Sequence, residues 1–369
     1  MRLPRIKPEH AAHRLEDGRI RIGGDIYGLA HEIKDPHGWV WTALEAMNGT
    51  RTCADVAALV RSGFPELTRR DTVAIVAQLV ASGHVEDAGA TEAPELSERE
   101  RDRYSRGHAF FRWADLTPRE HGWDAQLRLR RARVLLIGVG GAGASVALAL
   151  AASGVGFLHL VDDDRVELSN LNRQLIFTER DVGRAKVDVA VERLRRLNSD
   201  VEITGAYSRI RRERDLTELL PGFDVLALCA DEPKGDDGIR VWANRACFAA
   251  GIPWVGGGYN GPLVTTGVFA PGRGACYECM QRIEDRKRTP SGDRPPGAAF
   301  RPVDLGGPGA IATSAGMCGN LVAHGVLRLI TGVPPITAGF IQGTNLVAPH
   351  QSIFAEFPHG EAGCATCTP

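Results

Sequence analysis

The chain lacks an excess of charge of either sign. Its 369 residues carry 44 Lys and Arg against 45 Asp and Glu, a formal net charge of −1. That balance leaves no electrostatic footprint for a nucleic acid or an anionic membrane surface, so neither is expected as a partner. No apolar run reaches membrane-spanning length. The first residues, Met1-Arg2-Leu3-Pro4-Arg5, lack the apolar core of a signal peptide. No tandem repeat is present. Apolar content of 43% and charged content of 24% are ordinary for a globular protein, and the length suits two domains. The cysteines fall into two C-x-x-C pairs and several single thiols, which suits a reducing, cytoplasmic compartment.

What is present is concentrated between residues 133 and 186. Arg133 to Ile137 is an apolar run suited to a buried parallel strand. Gly138, Gly140 and Gly143 have the G-x-G-x-x-G spacing, with Gly141 a further glycine. Such glycines permit a tight turn and bring phosphate against backbone N–H groups at a helix N-terminus. An Ala- and Leu-rich helix from about Ala142 to Ser153 follows, then a strand from Phe157 to Val161 with Asp162 at its end. An acidic residue about 20 positions past the glycines is placed to hold a ribose hydroxyl. The expected core is a doubly wound Rossmann-like α/β sheet with ligands at the C-terminal ends of its strands. Its further strands read as 201–206, 223–229, 252–255 and 263–269, and its helices as 186–197, 239–250 and 314–331.

The segment Asp162-Asp163-Asp164, then Ser169-Asn170-Leu171-Asn172-Arg173-Gln174, then Gly183 and Lys186, resembles the HesA/MoeB/ThiF family of adenylating enzymes, which are related to ubiquitin-activating enzymes. The resemblance covers about Arg101 to Cys367. It implies ATP as substrate, with Arg173 and Lys186 acting on the triphosphate and Asn170 and Gln174 as amide donors to phosphate oxygens. It assigns Asp231, in "FDVLALCADEP", to Mg²⁺, although Glu232 stands where the family usually has Asn. "RYSRGHAFF" resembles the family's R-Y-x-R-Q segment with Gly107 in place of Gln. Arg106 would then reach the nucleotide of a partner subunit, which implies a homodimer.

Cys276, Cys279, Cys364 and Cys367 form the two C-x-x-C pairs. Four thiolates at this spacing suit one closed, structural Zn²⁺ site; two redox pairs or free thiols are the alternative. Neither pair reads as a thioredoxin-like βαβ motif, and the family carries such a paired zinc site. Some relatives use a cysteine in the loop crossing the active site as an acyl acceptor. The corresponding segment here, Gln281 to Gly309, reads as a charged, Pro- and Gly-rich loop without cysteine. No enzyme-bound thioester is therefore expected. Cys53, Cys229, Cys247 and Cys318 read as core residues.

The expected domains are 1–88, a linker at 89–100, and 101–369. In the first, "GRIRIGGDIYGLAHEI" alternates like a hairpin, and three apolar periodicities of helical spacing follow, near Val40, Val56 and Val73. "SGHVED" would open a wing strand. This describes a small winged-helix-like α+β domain. It resembles the PqqD-like peptide-recognition domains of ribosomal-peptide biosynthesis, which add a leader peptide to a sheet edge. A structural cap or a DNA-binding winged helix are the alternatives, the latter unsupported by charge. The combined expectation is ATP-dependent adenylation of a carboxylate on a precursor peptide. Adenylation of the C-terminal Gly of a ubiquitin-like sulfur-carrier protein, and non-catalytic peptide delivery to a cyclodehydratase, stand as alternatives.

Overall fold

The computed structural model describes residues 1–24, 28–90, 93, 95–119, 121–230, 237–287, 309–361 and 363–367. The chain divides into two compact units, Met1–Arg128 and Leu129–Pro369. Residues 101–128 cluster with the first unit.

In the first unit, β1 (Pro4–Ile6) pairs antiparallel with β5 (Val85–Asp87), so the wing strand has a partner from the start of the chain. Strands β2 (His13–Arg14), β3 (Ile20–Ile22) and β4 (His31–Ile33) form a second sheet in the order β2-β3-β4. Helices α1 (Trp39–Ala46), α2 (Cys53–Gly63) and α3 (Arg69–Ala81) follow. Thr52 and Thr68 open α2 and α3 with reciprocal side-chain and backbone hydrogen bonds to Asp55 and Asp71. Ile20, Ile22, Leu44, Met47, Val56 and Val76 pack as one core. Helices α4 (Glu98–Arg103) and α5 (Ser105–Ala114) complete the unit, and α6 (Asp124–Arg131) carries the chain onward.

The second unit is built on eight strands: β6 (Arg133–Ile137), β7 (Phe157–Asp162), β8 (Glu202–Tyr207), β9 (Val225–Leu228), β10 (Trp254–Asn260), β11 (Leu263–Phe269), β12 (Phe340–Asn345) and β13 (Ser352–Glu356). Their order is β13-β12-β11-β10-β9-β6-β7-β8. From β10 to β8 the pairs are parallel, and from β10 to β13 antiparallel. Its helices are α7 (Gly141–Ala152), α8 (Lys186–Leu197), α9 (Glu213–Leu219), α10 (Ile239–Ala250), α11 (Tyr277–Lys287) and α12 (Ala312–Thr331). The Rossmann-like α/β reading holds, with an antiparallel extension that sequence reading followed only as far as β11.

Two expectations need correction. Gln281 to Lys287 are the last turns of α11 rather than loop, because an amphipathic helix with a charged outer face mimics a polar connection; 288–308 lie outside the described residues. The hairpin strand of "RIRI" is the centre of its sheet, with both edges taken by β2 and β4.

Candidate functional site

Each glycine of the turn after β6 has its own steric reason. Gly138 has φ +88°, and a β-carbon there would meet the Cys229 carbonyl and the Ala230 nitrogen within 2.9 Å. At Gly143 a β-carbon would lie 1.9 Å from the Gly138 carbonyl oxygen, so only glycine lets α7 close on β6. Gly141 faces the Tyr259 hydroxyl and Ala315. Gly140 is different: the nearest atom a β-carbon would meet is Gln174 Nε2 at 3.8 Å. That opening borders a cleft of about 360 Å³ lined by Gly138, Gly140, Asp162, Asp164, Arg209 and Cys229, among others. Gly140 is the residue before α7, and no side chain caps the helix. Backbone N–H groups and the positive end of the helix dipole are therefore left for an anion.

Asp162 ends β7 on this cleft. One carboxylate oxygen accepts from Val139 N at 2.6 Å and the other from Asp164 N at 2.8 Å. Burial nevertheless raises its pKa, against the pull of those N–H groups and Lys186.

A short bridge between Arg165 and Ala185 folds the following arm back. It brings Lys186, the first residue of α8, to Asp164: Lys186 Nζ donates to Asp164 Oδ2 at 2.7 Å. Lys186 is 5% exposed, whereas the Asp164 side chain is 65% exposed. Asn170 closes a turn by accepting from Glu167 N at 3.1 Å. Arg173 donates to Ser169 O and Asn172 Oδ1, each at 3.0 Å. Gln174 is 3% exposed, and its Oε1 has no hydrogen-bond partner among the described residues. Asp181 and Arg193 brace the end of the arm, together with Thr178.

Asp162, Asp164 and Gly140 thus line one cleft, with Lys186 joined to it through Asp164 and Gln174 beside Gly140. Asp231 lies outside the described residues. Arg106 is exposed on α5 in the first unit. Asp164 and Arg209 are cleft residues that sequence reading gave no role. Asp164 was visible as the second acid of the Asp162-Asp163-Asp164 run to follow the strand. Arg209 follows β8 with no motif, 3.8 Å from the Asp163 carboxylate. Cys229 and Cys53 are half-buried and pack against the cores of their units, and Cys229, just past the end of β9, also lines the cleft wall. Cys247 and Cys318 are buried as expected.

The four paired cysteines converge. Their Sγ atoms all lie within 4.8 Å of one another, with Cys276–Cys364 at 3.7 Å and Cys279–Cys367 at 3.4 Å. Zinc–sulfur bonds of about 2.3 Å in a tetrahedron put sulfurs about 3.8 Å apart, so the donor set fits one Zn²⁺. No disulfide links them. The first pair opens a helix, α11, but the next described element is α12 and β12 returns antiparallel to β11, so the setting is not βαβ. The gathering of thiols from both pairs is what separates this site from a redox pair. Burial pushes the Cys276 thiol up to about 11. Cys364 is buried too, but N–H groups of Cys367 and Thr366 bring it down to about 7. Glu278 ties the two knuckles to α10: it accepts from Asn244 at 3.1 Å, Arg245 at 2.9 Å and Thr366 at 2.6 Å.

Comparison with known proteins places this geometry in context. The model of the ThiF family matches residues 114–365. The adenylyltransferase and sulfurtransferase MOCS3 of Bos taurus is 37% identical over 247 residues, 66% of this chain and 48% of that protein. The sulfur carrier protein ThiS adenylyltransferase of Escherichia coli is 31% identical over 188 residues, 49% of this chain and 65% of that protein. The chain spans about half the length of the MOCS3 relatives it matches. Among solved structures, E. coli MccB with AMPCPP and selenomethionine MccA has a TM-score of 0.72 at 20% identity, covering 99% of both chains. That likeness is one of fold.

Proposed function

The chain belongs to the ThiF family, and on that footing we propose that it is an ATP-dependent adenylyltransferase acting on a carboxylate of a peptide in ribosomal-peptide modification. A substrate carboxylate oxygen attacks the α-phosphorus of ATP; the bond to pyrophosphate breaks, giving an acyl-adenylate. The two reactants repel, and negative charge builds on the leaving pyrophosphate. In this reading Lys186, beside the cleft through Asp164, and Arg173, on the same arm, offset it, while Gly140 and the uncapped start of α7 receive the phosphates. Asp162 serves the ribose and Gln174 a phosphate oxygen. Lys186 must leave Asp164 to reach a phosphate, and Asp164, already exposed to water, is left at little cost. Mg²⁺, assigned to Asp231, would add positive charge beside the pyrophosphate when bound. Zinc on the four cysteines is structural: it would clamp the end of the chain to α11.

The observation that favours a peptide is the first unit. The likeness to MccB, an enzyme solved with MccA, runs through the whole chain, first unit included, whereas the ThiS adenylyltransferase aligns with 49% of it. Within that unit β4 has one side paired to β3, and among the described residues its outer side is an edge for an added strand. Strand β2 is the other edge but has only two residues, so the longer β4, His31–Ile33, is the acceptor edge of this reading in place of the "RIRI" strand.

A homodimer completes the reading. Leu168, Leu175 and Val182 are 68%, 68% and 46% exposed on the arm that carries Arg173. A second copy covering them would suit Arg106 as the residue that crosses to its partner's nucleotide.

The test is hydrogen exchange on the full chain with peptides encoded beside its gene and with a carrier protein ending in Gly-Gly. Peptide-dependent protection of residues 31–33 is the expected result. Protection by the carrier protein alone would favour the sulfur-carrier reading.

A further inference from the structure

Strand β10 outruns the parallel sheet. Its last partner on β9 is at Gly256, opposite Leu228, yet it continues to Asn260. The overhang carries Tyr259 past the carboxyl ends of the parallel strands. Alternation along a strand places Tyr259 on the same face as Gly257. That face meets α12 directly: a β-carbon at Gly257 would lie 2.5 Å from Val322 and 2.7 Å from Cys318 Sγ. Helix α12 in turn lies on α7 almost backbone to backbone, since a β-carbon at Gly319 would meet the Ala142 carbonyl oxygen at 2.3 Å.

These contacts bring three things to Gly141, the first residue of α7. A β-carbon there would lie 2.6 Å from the Tyr259 hydroxyl and 2.9 Å from Ala315, in the first turns of α12. The N-terminal ends of α7 and α12 and one phenol therefore converge on one side of the glycine turn. The other side, at Gly140, opens toward the nucleotide cleft beside Gln174, whose buried Oε1 lacks a partner among the described residues. Both helix dipoles present positive ends here. A phenol hydroxyl adds a donor that stays neutral at physiological pH.

We propose that Tyr259 is the residue that holds the substrate's carboxyl group, its hydroxyl donating to the carboxylate oxygen that does not attack phosphorus. The inference rests on the adenylation reading. A carboxylate arriving from the antiparallel side of the sheet would meet the α-phosphate across the start of α7, with nucleotide on the Gly140 side and acyl group on the Tyr259 side. The hydroxyl takes no proton; it orients the oxygen and later holds the acyl carbonyl of the adenylate.

The test compares AMP with a non-reactive acyl-adenylate mimic, an acylsulfamoyl adenosine carrying acetylglycine, by titration calorimetry on the full chain and on Tyr259→Phe. The wild-type chain should prefer the mimic to AMP. In Tyr259→Phe that preference should shrink about 10-fold or more, the loss expected for one hydrogen bond to a charged or strongly polarised group, while AMP affinity stays within about twofold, less than one neutral hydrogen bond is worth. An undiminished preference, an absent preference in the wild type, or an equal loss for AMP would overturn the role of Tyr259. If neither compound bound the wild-type chain, the adenylation reading itself would fall.

Discussion

Both units bury polar side chains, but they do so differently. In the first, Lys7 donates to the Asp115 carbonyl oxygen at 2.5 Å, His10 bonds to the Trp113 carbonyl oxygen at 2.8 Å, and His84 to that of Leu29 at 3.1 Å. Each is spent on a backbone group far along the chain and ties a loop down. In the second, Asp162, Lys186, Asn170 and Gln174 lie within one stretch of the chain. Asp162 lines the cleft, Lys186 is held by a water-exposed acid, and Gln174 has an acceptor without a partner among the described residues. Buried polar groups anchored on backbone are architecture. Those that gather beside an open cleft with capacity left over belong to a ligand. Asp162 and Asn170 also hold backbone N–H groups, so their loss should cost both stability and activity; changes at Lys7, His10 and His84 should cost stability alone, and a change at Lys186 activity above all.

The largest effect expected is that of Lys186→Ala. Adenylation should fall about 100- to 1,000-fold, as for other lost groups that stabilise developing charge. The melting temperature should hardly move, because the partner left behind, Asp164, is 65% exposed. A variant that lost stability and activity together would erase the contrast.

Cys276→Ser tests a part of the second unit that is architecture. Metal analysis should give about one zinc per wild-type chain and a sharply lower content in the variant. Stability should fall by several kcal/mol, since metal binding there is folding free energy. A metal-free wild-type chain with unchanged melting would refute the zinc assignment.

A smaller effect is expected from acid on the first unit. Burial lowers the pKa of His10 to about 4, from an ordinary value of 6.5. Between these values the unfolded chain takes up a proton that the folded chain refuses, so stability falls as pH drops from 6.5 toward 4. The loss is on the order of 3 kcal/mol at most. Thermal melting of His10→Gln against pH should show a shallower slope over that range; an identical slope would clear His10 of the role.

The smallest is Thr52→Ala, which removes the cap of α2 and should cost about 1 kcal/mol, read in denaturant melts, with no effect on nucleotide binding.

The legibility of the two units differed for a physical reason. Gly138, Gly143, Asp162 and Lys186 encode local backbone geometry and charge, and a stretch of some fifty residues holds them all; the cleft was therefore readable from the amino-acid sequence alone. In the first unit β3, β4 and β5 were readable, whereas β1 and β2, of three and two residues, were too short to show a period. Which of them lies at the edge is a property of pairing between distant segments, and "RIRI" gave no sign that β2 and β4 would flank it. The same limit hid β12 and β13, and Tyr259, whose neighbour Gly141 is more than a hundred residues away. The capping pairs Thr52–Asp55 and Thr68–Asp71 were local signals that could have been used to fix the starts of α2 and α3. Asp164 was in plain sight, but its bond to Lys186 needed the bridge between Arg165 and Ala185.

The central claim is that the cleft activates a carboxylate by adenylation. The most direct measurement follows ATP labelled at the α-phosphate, with the full chain, Mg²⁺ and a candidate peptide, and identifies the labelled product. The account predicts peptide-dependent acyl-adenylate and AMP, with pyrophosphate released in equal amount, and a rate about 100- to 1,000-fold lower from Lys186→Ala. Labelled ADP with inorganic phosphate, or product formation undiminished in Lys186→Ala, would contradict it.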